Sequence, residues 1–143
     1  MNDDPPAPPP FNMATPTPAR IYDYYLGGKD NFPADRAAGE KVMAVFPGAP
    51  RLARENRGFL LRAVRYCVEA GIDQVIDLGT GIPTSPNVAE VARAVNAETR
   101  VIGVDNDPVV LSHQRAEASF SRSGYTVVQG DVRRPWVIPN STR

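Results

Sequence analysis

The hydrophobic and polar positions of the 143-residue chain alternate between strand-like and helix-like patterns. Short runs rich in valine and isoleucine, at residues 74–78, at residues 100–104 and from Tyr125 onward, are typical of buried strands. Strands that alternate with helices predict an α/β domain with a parallel sheet. The amphipathic stretches between and before the strands predict helices over Pro33 to about Phe46, Arg51 to Ala70, Ser85 to about Val95, and Pro108 to about Ser121.

The first 18 residues differ in composition from the rest of the chain. They include seven of the 15 prolines, which favour polyproline II and leave too few apolar side chains for a core. A solvated leader is favoured here over a ligand for an aromatic-lined groove. We therefore predict three regions: a disordered tail at residues 1–18, a flap with helices at residues 19–72, and a sheet domain at residues 73–143.

The segment from Ala19 to Phe32 combines tyrosines with a Gly-Gly pair and a Lys-Asp-Asn cluster. It predicts a short helix, residues 20–26, that ends at the two glycines. Two interpretations are open: the tyrosines pack this helix on the edge of the sheet, or the segment forms a flap over a bound ligand. Under the second interpretation the candidate ligand contacts are Tyr22, Lys29 and Asn31.

Apolar positions recur at helical spacing in the two helices predicted after the flap. In the first, Val42, Val45 and Phe46 follow an i, i+3, i+4 pattern. Because Cys67 lies among the apolar positions of the second helix, it is expected to be a buried structural thiol. His113 has no partner at metal-ligand spacing, so no metal site is predicted. The apolar face of the second helix, which should cover the sheet, comprises Leu52, Phe59, Leu60, Ala63, Val64, Cys67 and Val68.

The stretch from Gln74 to Thr84, Q-V-I-D-L-G-T-G-I-P-T, has the pattern of a strand that ends in a glycine turn before a helix. Gly79 and Gly81 allow positive φ and a close approach of the backbone to a ligand. A dinucleotide site would place a third glycine where Thr84 stands. The carboxylate of Asp77 would repel a pyrophosphate but attract an ammonium or sulfonium group. We therefore predict a site for S-adenosylmethionine, with an ordinary structural turn as the alternative.

Acidic residues also follow the other two strands. Asp105 ends the second strand, where a carboxylate can accept hydrogen bonds from both ribose hydroxyls of an adenosine. Asp131 lies beyond the third strand, where it can accept a bond from the adenine amino group. Each alone is an ordinary strand-end carboxylate. Together with Asp77 and the glycine loop, they predict a pocket for a cationic adenosyl cofactor.

Helix start signals follow the first two strands. Thr84 or Ser85 is expected to cap the helix after the glycine loop, with Pro86 at its first position. Asp107 is expected to cap the next helix, with Pro108 as its first residue. The simplest role for Asp107 is therefore that of a cap.

These motifs resemble those of class I S-adenosylmethionine-dependent methyltransferases: V-I-D-L-G-T-G is similar to the first motif, G-V-D-N-D-P to the second and Q-G-D-V to the third. More narrowly, residues 18 to about 135 resemble an actinobacterial S-adenosyl methyltransferase family once catalogued as a domain of unknown function. The shared motifs are Y-D-Y-Y-L-G-G-K-D-N-F, D-L-G-T-G-I-P-T, V-D-N-D-P-V-V-L and G-D-V-R-R-P. In that family Leu- or Ile-Pro-Thr replaces the third glycine, as it does at residues 82–84.

The resemblance implies a Rossmann-like fold and methyl transfer from S-adenosylmethionine to an acceptor, expected to be a small molecule. It favours the flap interpretation and adds Asn106 and Val132 to the cofactor contacts. The fold usually has seven strands, whereas three are predicted here, so we expect its N-terminal half only, with the catalytic residues unassigned. The alternative is a non-catalytic fragment or cofactor-binding module. We also expect cofactor binding without turnover, and self-association through the exposed sheet edge.

Charge and hydropathy limit the classes of partner. Sixteen basic and sixteen acidic residues leave no net charge, which argues against a nucleic-acid-binding protein. The N-terminus has no apolar run that predicts a signal peptide or a membrane span. We therefore expect a cytoplasmic protein without a nucleic-acid or membrane partner.

Overall fold

The computed structural model describes residues 12–120 and 124–135, without the side chains of residues 119 and 120. Most of the predicted proline-rich tail, residues 1–11, lies outside the described residues, as do residues 136–143 at the end of the predicted sheet domain. The division of the chain into three regions therefore stays a prediction.

Helices precede and connect three parallel strands, which form one sheet in the order β1-β2-β3. The α/β class and the parallel sheet are confirmed, and each strand begins at the predicted residue. In chain order the described elements are α1 (Pro18–Tyr25), α2 (Pro33–Val45), α3 (Ala49–Glu69), β1 (Gln74–Leu78), α4 (Val88–Val95), β2 (Arg100–Asp105), α5 (Pro108–Phe120) and β3 (Tyr125–Gln129).

The larger hydrophobic core lies between α3, α4 and one face of the sheet. Val64 and Val68 of α3 pack there with Ala92 of α4 and with Val101 of β2, which is 1% exposed. Burying a valine side chain completely contributes about 1.5–3 kcal/mol. This packing fixes α3 and α4 against the strands.

A second, smaller core joins the loop after β1 to helices α1 and α5. Ile82 of this loop packs with Val109 and Val110 of α5, and Ala19 of α1 contacts the same cluster. Helix α1 is thereby held near the carboxyl ends of β1 and β2, where the loop and α5 begin.

The apolar stripe predicted for α2 does not face the core. Val42, Val45 and Phe46 are 43%, 84% and 48% exposed. The buried residues of α2 are Asp35 and Gly39, in the half of the helix that packs against α1. The last turn of α2 extends beyond this contact, so its apolar side chains stay exposed.

The apolar face predicted for α3 is only partly correct, and Cys67 is exposed rather than buried. Leu52 and Phe59 are also exposed. One position along a helix is a rotation of about 100°, which turns a neighbouring side chain away from the contact. Three of the residues that pack each follow an exposed one directly: Ala53 follows Leu52, Leu60 follows Phe59, and Val68 follows Cys67.

Helix α4 begins three residues later than predicted, so neither Thr84 nor Ser85 is its cap. The cap is Asn87, whose Oδ1 accepts a hydrogen bond from the backbone N–H of Glu90 at 2.8 Å. The Glu90 carboxylate accepts the N–H of Asn87 in return, at 2.6 Å. This reciprocal pair fixes the helix start, and Pro86 lies before it instead of at the first helical position.

Candidate functional site

A cavity of about 830 Å³ lies at the carboxyl ends of β1 and β2. Its volume is in the range of small-molecule sites. The wall is formed by α1 with the segment before it, one side of α3, the loop after β1 and the start of α5. The predicted cofactor contacts that line it are Tyr22, Asp77, Gly79, Gly81, Asp105 and Asn106.

The loop after β1 is built on two glycines with left-handed backbone. Gly79 and Gly81 have φ of 73° and 72°, a region that side chains disfavour. The N–H groups of Gly79 and Thr80 both donate to Val104 O of β2, at 2.8 and 3.1 Å. The predicted positive φ is therefore confirmed, and the turn is attached to the neighbouring strand.

Asp105 braces the glycine loop from the end of β2. It is 7% exposed, and its Oδ2 accepts a hydrogen bond from the N–H of Gly81 at 3.0 Å. Its Oδ1 accepts the N–H of Asp107 at 2.9 Å. The sequence predicted only a ribose contact for Asp105, whereas the structure shows that this carboxylate also shapes the site.

Asp107 caps α5, as predicted. Its Oδ1 accepts a hydrogen bond from the N–H of Val109 at 2.9 Å. Its Oδ2 is buried and has no hydrogen-bond partner among the described residues. Asp107 also lines the cavity, which the sequence did not predict.

Asp77 lies at the cavity below the glycine loop. The Thr80 hydroxyl donates to Asp77 Oδ2 at 2.8 Å. Burial raises the pKa of Asp77, although the Thr80 hydrogen bond and the charge of Arg57 oppose this shift. The neighbouring groups therefore do not fully offset the cost of burying this negative charge, and a cationic group in the cavity would stabilise the charged carboxylate.

Arg57 of α3 is a site residue that the sequence did not reveal. Its Nη2 donates to the backbone oxygens of Thr84 and Pro86, at 2.5 and 2.7 Å. The guanidinium therefore ties the end of the glycine loop to α3, and Arg57 also lines the cavity. A single arginine in an amphipathic helix gives no sequence signal of this contact.

Gln114 of α5 supports the loop from below, and it was also missed. Its Nε2 donates to Gly81 O at 2.7 Å and to Thr80 Oγ1 at 3.3 Å. Its Oε1 accepts a hydrogen bond from the Tyr125 hydroxyl. Burial raises the pKa of Tyr125 to about 12, so this hydroxyl keeps its proton well into the alkaline range.

Of the three ligand contacts predicted between Ala19 and Phe32, one lines the cavity and two do not. Tyr22 lines the cavity, and its hydroxyl donates to Ala53 O at 2.9 Å. Asn31 is buried but does not line the cavity, because its Nδ2 donates to Asp23 Oδ2 at 2.8 Å and so supports the turn. Lys29 is exposed and does not line the cavity.

Asp131 and Val132 do not line the cavity either. Asp131 pairs with Arg133 at 2.6 Å, and Val132 is 57% exposed. The Arg133 guanidinium holds the pKa of Asp131 at about 2. The structure therefore brings Asp77 and Asp105 together at one cavity and leaves the third acid in a separate surface ion pair.

Helices long and apolar enough to cross a membrane do not occur in the part of the chain that the structure describes. Among the same residues, no group of three or more His, Cys, Asp or Glu side chains is arranged to hold a metal ion.

The fold and the cavity together define a class of protein. A parallel α/β sheet with a glycine loop after its first strand, and with ligand-sized space at the strand ends, is the arrangement of nucleotide-cofactor domains. The chain belongs to the S-adenosyl methyltransferase family, whose sequence model matches residues 6–143.

Two crystal structures are similar to this chain. A candidate methyltransferase from Thermobifida fusca YX is 46% identical, with a TM-score of 0.84, over 93% of this chain and 50% of that chain. A DUF574 family protein from Streptomyces avermitilis MA-4680 is 43% identical, with a TM-score of 0.82, over 86% of this chain and 48% of that chain. The chain thus spans about half the length of these structures. A comparison with curated proteins gives no significant match.

Proposed function

We propose that the chain binds S-adenosylmethionine in the cavity at the ends of β1 and β2, and that it supplies this site to methyl transfer onto a small-molecule acceptor. The observation that carries the proposal is the position of Asp77 beside the glycine loop, with both lining the cavity. A partly buried carboxylate beside a left-handed Gly-Thr-Gly turn suits a cationic cofactor and disfavours a pyrophosphate.

The residues around the cavity suggest how the cofactor lies. Asp77 is placed to attract the ammonium or sulfonium group, and its raised pKa would fall when that charge arrives. Gly79 and Gly81 allow the backbone to approach the amino acid end. Asp105 also lines the cavity, and the ribose is expected to lie beside it. Tyr22 closes the cavity from α1.

The adenine contacts of this proposal rest on the family resemblance. Asp131 and Val132 follow β3 at the same end of the sheet, but neither lines the cavity. Asn106 lines the cavity directly after Asp105, and we expect it to lie beside the nucleoside. Lys29 and Asn31 belong to the proposed flap, but neither lines the cavity, so no direct contact with the cofactor is proposed for them.

Methyl transfer requires little of the protein beyond holding the cofactor and the acceptor in the right positions. When bound, S-adenosylmethionine supplies a methyl group that its sulfonium already activates. The residues of this chain would hold the adenosyl and amino acid parts and keep water from Asp77. Orientation of this kind accounts for a large share of the rate of group transfer.

Isothermal titration calorimetry tests the proposal with S-adenosylmethionine, S-adenosylhomocysteine and NAD as ligands. We expect both adenosyl ligands to bind more tightly than NAD. Asp77→Asn should weaken their binding by about 1.5–3 kcal/mol, the scale of a hydrogen bond to a charged group. Asp73→Asn is the matched control, because Asp73 is exposed at the other end of β1 and does not line the cavity. Tighter binding of NAD than of S-adenosylhomocysteine would refute the proposal.

A further inference from the structure

Helix α3 carries a line of large apolar side chains on a face that does not pack in the core. Leu52, Phe59 and Tyr66 are 60%, 64% and 73% exposed, whereas Val64 and Val68 of the same helix are buried. The three exposed residues follow one another at a spacing of seven. Because seven residues fall only about 20° short of two helical turns, these side chains form one stripe, about 21 Å long, here called the α3 stripe.

Charged residues of alternating sign flank the α3 stripe on one side. Glu55, Arg62 and Glu69 each follow a stripe residue by three positions, which places them about 60° to the same side of it. Arg51 directly precedes Leu52 and lies on that side too, about 100° away. All four charged residues are exposed, and none of them forms an ion pair with another described residue. An apolar stripe with a charged rim indicates an interaction surface.

The order of residues along the stripe fits a second copy of α3 that runs antiparallel. With the two-fold axis at Phe59, Leu52 of one copy lies beside Tyr66 of the other, because both are seven residues from the axis. Glu55 and Arg62 are four and three residues from Phe59. They therefore lie across the pair from each other with an offset of about 1.5 Å along the axis.

Arg51 and Glu69 complete the match at the two ends of the stripe. They are eight and ten residues from Phe59, so their offset across the pair is about 3 Å, which an arginine side chain can span. A two-fold contact brings the same side of both helices together and repeats each contact. Each of the two ion pairs, Glu55–Arg62 and Arg51–Glu69, would thus form twice.

The same charges disfavour a parallel pair. A parallel arrangement would place Glu55, Arg62 and Glu69 each beside the same residue of the second copy, and like charges at such positions are destabilising. On its other side the α3 stripe is bordered by Asn56 and Ala63, which carry no charge. The charges therefore select the antiparallel direction.

We propose that the α3 stripe is the interface of a homodimer in which two copies of α3 pack antiparallel across a two-fold axis at Phe59. Neither the stripe residues nor the four charged residues line the cavity, so this inference does not rest on the proposed function. A contact of one helix pair lies at the small end of protein interfaces, so the dimer should dissociate on dilution.

Charge reversal tests the pairing of Glu55 with Arg62. Glu55→Arg and Arg62→Glu each bring like charges together twice, so each should raise the dissociation constant of the dimer at least about 10-fold. The double variant restores opposite charges and should return the constant to that of the parent chain. Arg54→Glu is the matched control, because Arg54 is exposed on the same helix but lies about 160° from the stripe. It should dimerise as the parent chain does.

Sedimentation equilibrium over a hundredfold range of protein concentration measures the dissociation constant. The parent chain and all its variants carry Ile76→Lys, because Ile76 is 66% exposed on β1 and pairing of that edge strand would add to the mass. Circular dichroism melting curves verify that each variant is folded.

The exposed thiol of Cys67 reports the direction of the helices. The two Cys67 residues lie about 24 Å apart in the antiparallel pair, but side by side in a parallel one. A short thiol-to-thiol cross-linker should therefore not link the two chains of the dimer.

Three results would overturn the inference. A parent chain that is monomeric at every concentration would leave the α3 stripe to another partner. A dimer that the single reversals do not weaken, or that the double variant does not restore, would show that Glu55 and Arg62 do not face each other. Efficient cross-linking through Cys67 would show that the helices run parallel.

Discussion

At the glycine loop, single hydrogen bonds hold the backbone from several sides. Val104 O accepts the N–H groups of Gly79 and Thr80, and Asp105 Oδ2 accepts that of Gly81. Gln114 Nε2 donates to the carbonyl of Gly81 at 2.7 Å. The loop is therefore held in one shape without a ligand, which would lower the entropic cost of binding one there.

Replacement of Gly79 by alanine should destabilise the protein through backbone strain alone. A Cβ at Gly79 would meet no atom within 4 Å, so no clash contributes. Its φ of 73° costs an L-residue about 1–2 kcal/mol. We expect Gly79→Ala to lower the free energy of unfolding in urea by that amount.

Gly58 provides the control for this substitution. It lies inside α3, and the nearest atom to an added Cβ is the flexible Nη1 of Arg62 at 3.2 Å. Alanine in a helix interior is more stable than glycine by about 0.5–1 kcal/mol. Gly58→Ala should therefore raise the free energy of unfolding. If Gly79→Ala were as stable as the wild type, the loop would not depend on positive φ.

At the scale of elements, a buried ion pair joins α1 and α2. Arg20 Nε lies 3.1 Å from Asp35 Oδ2, and the two side chains are 1% and 0% exposed. Asp35 also accepts the backbone N–H groups of Thr17 and Phe32, at 3.0 and 2.9 Å. This pair fixes the start of α1, which forms one wall of the cavity.

Breaking the Arg20–Asp35 pair should be costly, because the remaining partner is left as an uncompensated buried charge. We expect Arg20→Met or Asp35→Asn to lower the free energy of unfolding by about 3–5 kcal/mol each. The double variant should cost less than the sum, and urea unfolding of all three variants measures this coupling. Additive losses would contradict a direct interaction.

The exposed pair Asp131–Arg133 serves as the comparison for the buried one. Its arginine side chain is 79% exposed, so solvent screens the attraction. Arg133→Met should therefore change the unfolding curve far less than Arg20→Met does.

The elements differ in how far the sequence could predict them. The strands were predictable because short runs of β-branched residues that end at glycine or aspartate are typical of strands. The start of α4 was predicted wrongly, although Asn87 and Glu90 carry the Asn-x-x-Glu signal of a reciprocal cap. Polar residues before Asn87, such as Ser85, gave a competing start.

The buried polar residues could not be predicted from local pattern. Arg20 and Asp35 are fifteen residues apart, and Gln114 contacts Gly81 across thirty-three. A charged or amide side chain in a helix normally faces solvent, so only its tertiary partner explains its burial. The sequence therefore predicted the two glycines, Asp77 and Asp105 at the cavity, together with Tyr22 and Asn106, but not Arg57 or Gln114, which hold the loop through tertiary contacts.

For the whole molecule, the described sheet leaves β1 at its edge. Val75 packs in the core, whereas Ile76 and Leu78 are 66% and 59% exposed on the other face. Within residues 12–120 and 124–135, no strand pairs with the outer side of β1. An apolar strand with free backbone groups is a template for pairing with another chain.

We therefore predict that the 143-residue chain, expressed alone, self-associates through β1. Ile76→Lys should suppress this association, because a charge on an edge strand blocks pairing. Size-exclusion chromatography with light scattering, over a tenfold range of protein concentration, measures the mass. Val45→Lys is the matched control: Val45 is 84% exposed on α2, so the same change in charge away from the sheet should leave the mass unchanged. A wild type that stays monomeric at every concentration would contradict the prediction, and equal suppression by both variants would show that net charge, not the β1 edge, governs the association.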